Sequence, residues 1–189
     1  MWDAERLREK GLGMSEVPSL ETDRLLFQAP RREDFEDFAA MRADPIVARY
    51  TSGKPESANA TWGRLLHYRG LWGIMGFGFW MVREKQTGRF VGTIGFNEAH
   101  RGLTPSMDGI PEAGWVLASW CHGQGFATEG VKAACAWLDT QTPYRRSVCI
   151  IAPANTPSIR IAEKNGFSQF ATTQYLNEET LMFERKVAL

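Results

Sequence analysis

The sequence predicts a single α+β domain, a mixed and mostly antiparallel sheet flanked by helices. Three observations carry that expectation. A chain of 189 residues with 43% apolar content has the size and composition of one globular domain with a real core. The stretch "FGFWMVREKQTGRFVGTIGFNE" (77–98) reads as two β-rich runs about the tight turn KQTG, an antiparallel hairpin. Segments of helical spacing precede this hairpin and alternate with the strands after it, so helices and strands mix in one layer system. No internal repeat or low-complexity segment interrupts the pattern.

Taken in order, residues 1–13 read as a short polar helix ending at Gly11 and Gly13, and Met14 offers a second start. Residues 1–19 are therefore expected to be an appendage and 20–189 the domain. "DRLLFQAP" is a strand stopped by Pro30. "RREDFEDFAAMRA" places Phe35, Phe38, Ala39 and Met41 at helical spacing, and Asp44 with Pro45 forms a helix-start pair. From Ser57 to Met75 the residues Trp62, Leu65, Leu66, Leu71, Trp72 and Met75 suggest a helix that glycines interrupt. After the hairpin come the loop "AHRGLTPSMDGIP", strand 111–118, helix 124–139, strand 145–152, helix 156–165, and a strand pair near 167–173 and 180–187. In helix 124–139, Ala127, Val131, Ala134 and Leu138 are expected to face the sheet, with Glu129, Lys132 and Asp139 toward solvent.

The 22 basic and 22 acidic side chains cancel, and no Lys/Arg tract appears, which speaks against a nucleic-acid partner. No apolar stretch reaches the length of a membrane span, and "MWDAERLREKGLG" lacks the apolar core of a secretory signal. Three scattered cysteines, Cys121, Cys135 and Cys149, suit neither a disulfide framework nor a zinc site. The expectation is a cytoplasmic protein without metal, and a homodimer is open to it.

The informative stretch is "WVLASWCHGQGFATEG" (115–130), in which a strand ends, Gly123 and Gly125 follow, and a helix begins. A strand, a glycine turn and a helix N-terminus in that order form a cradle for phosphate, because the first helical N–H groups are unpaired. A glycine turn used for geometry alone is the competing reading. No G-x-x-x-x-G-K-[ST] run exists, which excludes a P-loop. Thr128 stands where a dinucleotide fingerprint needs its third glycine, and the next strand ends "VCIIAPAN" with no acid. A nucleotide-dependent oxidoreductase therefore ranks low.

Three segments in order carry a family resemblance over nearly all of residues 20–187. They are "LETDRLLFQAPRREDFEDFAAMRADPIVARY", "PEAGWVLASWCHGQGFATEG" and "NTPSIRIAEKNGF". The chain resembles a GNAT-superfamily N-acetyltransferase of the ribosomal-protein-alanine, RimJ/RimL-like branch. The resemblance implies the splayed sheet of that fold. It implies acetyl-CoA as cosubstrate, with its pyrophosphate on His122, Gly123, Gln124, Gly125, Phe126, Ala127 and Thr128. Its pantetheine would run along Trp115 and Leu117 as an added strand, with Asn155 reaching the same arm. Trp120 and His122 depart from the family's usual loop residues, so the phosphates are expected on backbone N–H groups.

The same resemblance assigns Glu112, in "EAGWVL", as general base, directly or through water; an exposed strand-end glutamate is the competing reading. Ser158 would donate a proton to the departing thiolate or contact the cofactor, or else stabilise the helix start. Thr156 with Pro157 reads as N-cap and first helical residue. Cys121 lacks a partner set for nucleophilic catalysis, so direct transfer is expected. Helix 57–75 and loop 98–110 would wall the acceptor site. The acceptor is a protein N-terminal amine or a small amine. A non-catalytic acyl-CoA-binding domain is the alternative from another class.

Overall fold

The computed structural model describes residues 16–187. The expected helix over residues 1–13 lies outside them. Eight strands form one sheet: β1 (Leu20–Glu21), β2 (Leu25–Gln28), β3 (Phe79–Glu84), β4 (Phe90–Asn97), β5 (Glu112–Leu117), β6 (Arg146–Ile151), β7 (Ser168–Tyr175) and β8 (Glu178–Lys186). Their spatial order is β1-β2-β3-β4-β5-β6-β8-β7. The described helices are α1 (Phe35–Ala43), α2 (Pro45–Ala48), α3 (Ala58–Met75), α4 (Phe126–Gln141) and α5 (Thr156–Lys164). None of them is long and apolar enough to cross a membrane.

Every neighbouring pair of strands is antiparallel except β5 and β6, which are parallel and pair at one position, Glu112 with Val148. Beyond it the two strands diverge, whereas β4 and β5 stay in register over six residues, from Gly92–Leu117 to Asn97–Glu112. The sheet is thus splayed between its fifth and sixth strands, β5 and β6.

Both faces of the sheet are covered, which explains why "FGFWMV" is apolar without alternation. On one face Trp80, Ile94 and Phe96 pack with Val131, Ala134 and Leu138 of α4 and Ala162 of α5. On the other, Phe79, Met81 and Phe90 pack with Phe38 and Met41 of α1 and Leu65, Tyr68 and Leu71 of α3. A third cluster, Met107, Val148 and Met182, lies where the 98–111 loop covers the C-terminal half of the sheet.

Several expectations are corrected. Helix α3 runs unbroken through Gly63, Gly70 and Gly73, capped by Ser57 accepting from the Ala60 N–H. Burial of Leu65, Tyr68, Leu71 and Trp72 outweighs a glycine penalty of about 1 kcal/mol each. Glu129 does not face solvent freely: Thr22 Oγ1 donates to it at 2.5 Å and Arg24 Nε at 2.7 Å. Asp139 is likewise engaged, accepting from Arg185 Nη1 at 2.7 Å. The appendage boundary at residue 19 cuts through packed residues, because Val17 is buried in the core and Pro18 O accepts from Trp80 Nε1 at 2.7 Å.

Gly95 is required by close approach. A Cβ on Gly95 in β4 would sit 2.2 Å from the Gly78 carbonyl oxygen and 2.5 Å from Phe79 Cα. Both are backbone atoms, so no rotamer change relieves the contact and β3 must part from β4. Gly95→Ala is expected to cost about 3 kcal/mol or more, the upper end for overpacking. That corresponds to a Tm lowered by about 6–12 °C for a chain of this length, and a scanning calorimetry trace within 2 °C of wild type (on that ~2–4 °C per kcal/mol scale) would contradict it.

Candidate active site

The site is built along β5 and the turn that follows it. Ala118 N–H donates to Val91 O at 2.8 Å. Hydrogen-bonded residues alternate in an antiparallel pair, so Val116 and Gly114 also direct their backbone groups to β4. Trp115 and Leu117 then turn their N–H and C=O groups to the side where β6 has diverged. This is the edge expected to receive an added strand. The Leu117 carbonyl is already bonded to His122 Nε2 at 3.0 Å, so only its N–H remains for that role. The Trp115 indole Nε1 is buried with no protein acceptor, a donor that a ligand or water must satisfy.

After β5, a 3-10 turn (Ser119–Cys121) leads into the glycine turn. Gly123 and Gly125 have φ of 76° and 82°, the left-handed region open to glycine without strain. Gly125 is the N-cap of α4, and no side chain caps that end. The first backbone bond of the helix runs from Glu129 N–H to Gly125 O at 3.1 Å. The N–H groups of the first turn are therefore presented outward with the positive end of the helix dipole. A Cβ on Gly123 would meet nothing within 4 Å, so the space above the turn is open. An anionic diphosphate fits this cradle. The His122 N–H is turned from this cradle, donating to Ser119 O at 3.2 Å.

Arg24 adds a cation that the sequence did not single out. Its Nη1 donates to Gln124 O at 2.9 Å, its Nη2 lies 2.6 Å from Glu129, and its guanidinium stacks 4.4 Å above the Phe126 ring. Burial works against ionisation of Glu129, but bonds from Thr22 and Arg24 outweigh it and hold the carboxyl below its usual range. The Gln124 side chain turns back to donate to Trp120 O at 2.9 Å, away from a ligand role.

Glu112 lies at the opposite end of β5. Five strand steps at about 3.3 Å each place it roughly 17 Å from Leu117. It is buried, which removes the reading of an exposed strand-end glutamate. Arg101 of the 98–111 loop donates to both its oxygens, Nε to Oε2 and Nη2 to Oε1, each at 3.0 Å. Arg101 Nη1 donates to the Tyr175 hydroxyl at 2.6 Å, and the guanidinium lies 4.9 Å from the Tyr175 ring centre. Burial alone would lower the Arg101 pKa, yet the bond and charge of Glu112 raise it above the ordinary guanidinium value. Glu112, Gly114 and Val116 share one face of β5. A Cβ on Gly114 would press the Phe79 ring at 2.9 Å, so this is the face that α1 and α3 cover.

On α5 the N-cap is Asn155, not Thr156: its Oδ1 accepts from the Ser158 N–H at 3.3 Å. That oxygen serves the helix, leaving the Asn155 amide nitrogen for a ligand. Among the described residues the Ser158 hydroxyl has no hydrogen-bond partner. Burial pushes the Cys121 thiol up to about 11, and Cys121 Sγ donates to Ala118 O at 3.0 Å. A thiol so placed is not a nucleophile at neutral pH. The structure thus groups the cradle with Trp115 and Leu117, and sets Glu112 apart at the far end of the same strand. Tyr175 was missed because the final strand pair extends further into its turn than expected, with Leu176 and Asn177 at positive φ. The alternation in "TTQYLNEET" carried that signal.

Residues 24–168 match the profile described as the acetyltransferase (GNAT) domain. An uncharacterized protein, YkkB, of Bacillus subtilis (strain 168) is 27% identical over 177 residues, covering 92% of this chain and 98% of that protein. A GNAT-family acetyltransferase from Bordetella pertussis has a similar structure, with a TM-score of 0.81 and 30% identity over 89% of this chain and 99% of the other. The fold is also that of RimL, a ribosomal alpha-N-protein acetyltransferase solved with coenzyme A, at a TM-score of 0.74 and 14% identity over 90% and 98% of the two chains.

Proposed function

The chain belongs to the acetyltransferase (GNAT) family and is an N-acetyltransferase, and from that premise we propose that it moves the acetyl group of acetyl-CoA directly onto a primary amine. One observation carries the reading: an anion cradle and a buried carboxylate lie at opposite ends of β5, joined by an unpaired strand edge. A ligand that touches both must be long and extended, anionic at one end and reactive at the other. Acetyl-CoA has that shape, and RimL, which shares the fold, was solved with coenzyme A.

The diphosphate lies on the N–H groups of residues 123–128 with Arg24 beside it, and the pantetheine runs along Trp115 and the Leu117 N–H. The acceptor enters on the face of β5 that carries Glu112. The amine nitrogen attacks the thioester carbon, the C–S bond breaks, and the nitrogen's proton passes to Glu112, directly or through water. The thiolate leaves with a proton relayed through the Ser158 hydroxyl, which takes one from solvent as it gives one up. Amines titrate at about 8–10 and a thiol near about 8.5, so proton removal from the amine is the step that needs help near neutral pH. The acceptor is a protein N-terminus or a small amine.

The test is release of free thiol from acetyl-CoA against a panel of small amines and N-terminal peptides. Release with one acceptor class and not the other assigns the substrate. Tight coenzyme A binding with no thiol release across the whole panel would overturn the transfer reading.

A further inference from the structure

The Arg101 contact has chemistry of its own. The Glu112 carboxylate, the Tyr175 hydroxyl and the Tyr175 ring converge on a single cation. A carboxylate beside an aromatic face is a receptor for an organic cation. In this chain the receptor is filled by a residue of its own 98–111 loop. That loop has a separate attachment to the sheet, since Met107, with Leu103 and Ile110, packs on Val148 and Met182. The loop thus has an attachment to the sheet besides the guanidinium. The Arg101 side chain is 24% exposed, against 11% for Glu112, so the cation lies on the solvent side of the pair and is the member that can withdraw.

We propose that Glu112 and Tyr175 form the subsite for the acceptor's ammonium group, and that Arg101 occupies it as a tethered stand-in which the acceptor displaces. The inference rests on the amine-acetylating reading above. Arg101 already takes both Glu112 oxygens and the Tyr175 hydroxyl, so an ammonium that enters between the same groups does so by displacing it. Arg101 then sets selectivity: only an acceptor that enters as a cation replaces the interaction it breaks. A neutral amide or alcohol leaves the pair closed. The stand-in also keeps the buried carboxylate paired between turnovers, which avoids the cost of an isolated charge.

The experiment uses the coenzyme A complex and n-propylammonium chloride as probe, read by amide NMR shifts of residues 112–115 and 175. The wild type is expected to bind the probe about tenfold more weakly than Arg101→Ala, the change expected for removing a competing charge-assisted hydrogen-bond partner. The Arg101→Ala/Glu112→Gln double variant is expected to lose that gain. With a working acceptor from the amine panel, Arg101→Ala lowers KM about tenfold. Equal probe binding by wild type and a folded Arg101→Ala protein overturns the inference, and a fall in kcat at unchanged KM makes Arg101 a positioning residue instead. If Arg101→Ala does not fold, Arg101→Gln, which keeps polarity and part of the stem without charge, takes its place. Failure of both to fold makes Arg101 a structural strut and also overturns the proposal. Thiol release by the wild type is scored separately, so these outcomes leave the acetyl-transfer reading untouched.

Discussion

Replacing Gly125 by aspartate, Gly125→Asp, is expected to abolish the thermal protection that coenzyme A gives the wild-type protein. The cradle is backbone, so most side-chain substitutions around it leave its N–H groups in place. A carboxylate at position 125 is different. It stands at the N-cap of α4, on the residue whose φ is 82°, where an added Cβ lies 3.4 Å from Arg24 Nη2. It places negative charge against the diphosphate and draws the Arg24 guanidinium to itself. Like-charge contact at a binding interface costs several kcal/mol, and each 1.4 kcal/mol is about tenfold in affinity. The loss should therefore exceed about a hundredfold. At a ligand concentration about 100 times the wild-type Kd, binding adds about 2.7 kcal/mol of stability. That is a Tm rise of about 5–10 °C, which Gly125→Asp should not show. Gly125→Asn supplies the control: it carries nearly the same volume and the same backbone demand without the charge, and should retain most of the protection. Equal loss in both variants would mean that geometry, not charge, sets the effect. Unchanged affinity in Gly125→Asp would remove the glycine turn from the cofactor site.

The elements legible in the sequence are those whose signal is local. The hairpin 77–98 declares itself by two apolar runs about KQTG, and its strands pair from Phe79–Gly95 to Arg83–Phe90. Val131, Ala134 and Leu138 mark the buried face of α4 at helical spacing. The glycine turn is local too, since φ > 0 at Gly123 and Gly125 follows from residue type. What could not be read depends on partners distant in sequence. Arg24 and Glu129 are 105 residues apart, and nothing in "TDRLL" marks its arginine for a helix N-terminus. Arg101 and Tyr175 are 74 apart, and their meeting requires the 98–111 loop and the β7–β8 turn to converge. The unbroken course of α3 shows local preference losing to tertiary packing. The Asn155 cap was masked by the Thr156-Pro157 pair, a sound helix start one residue late.

Glu112→Gln is expected to lower turnover by about 10²–10⁴-fold, the range for a positioned acid–base group, with the acetyl-CoA dissociation constant nearly unchanged. The separation follows from the geometry, since the cradle lies at the other end of β5. The substitution keeps shape and one acceptor oxygen, so Arg101 retains part of its contact but loses the opposing charge. A partly buried guanidinium left with a neutral partner should cost about 1–3 kcal/mol of stability, visible as a lowered Tm and measurable apart from activity. The pH dependence distinguishes chemistry from damage to the fold. If Glu112 accepts the amine proton, the defect should shrink as pH rises, because free amine becomes abundant near and above its pKa of about 8–10 and needs no base. A defect of constant size across about pH 6–9.5, a span bracketing the amine titration, would instead report lost positioning. The amine KM should rise as well, since the same carboxylate anchors the ammonium before taking its proton. A variant with near wild-type rates at every pH would remove Glu112 from the mechanism. The proton would then leave through water alone, and the Arg101–Glu112–Tyr175 contact would be a brace between the 98–111 loop and the β7–β8 turn.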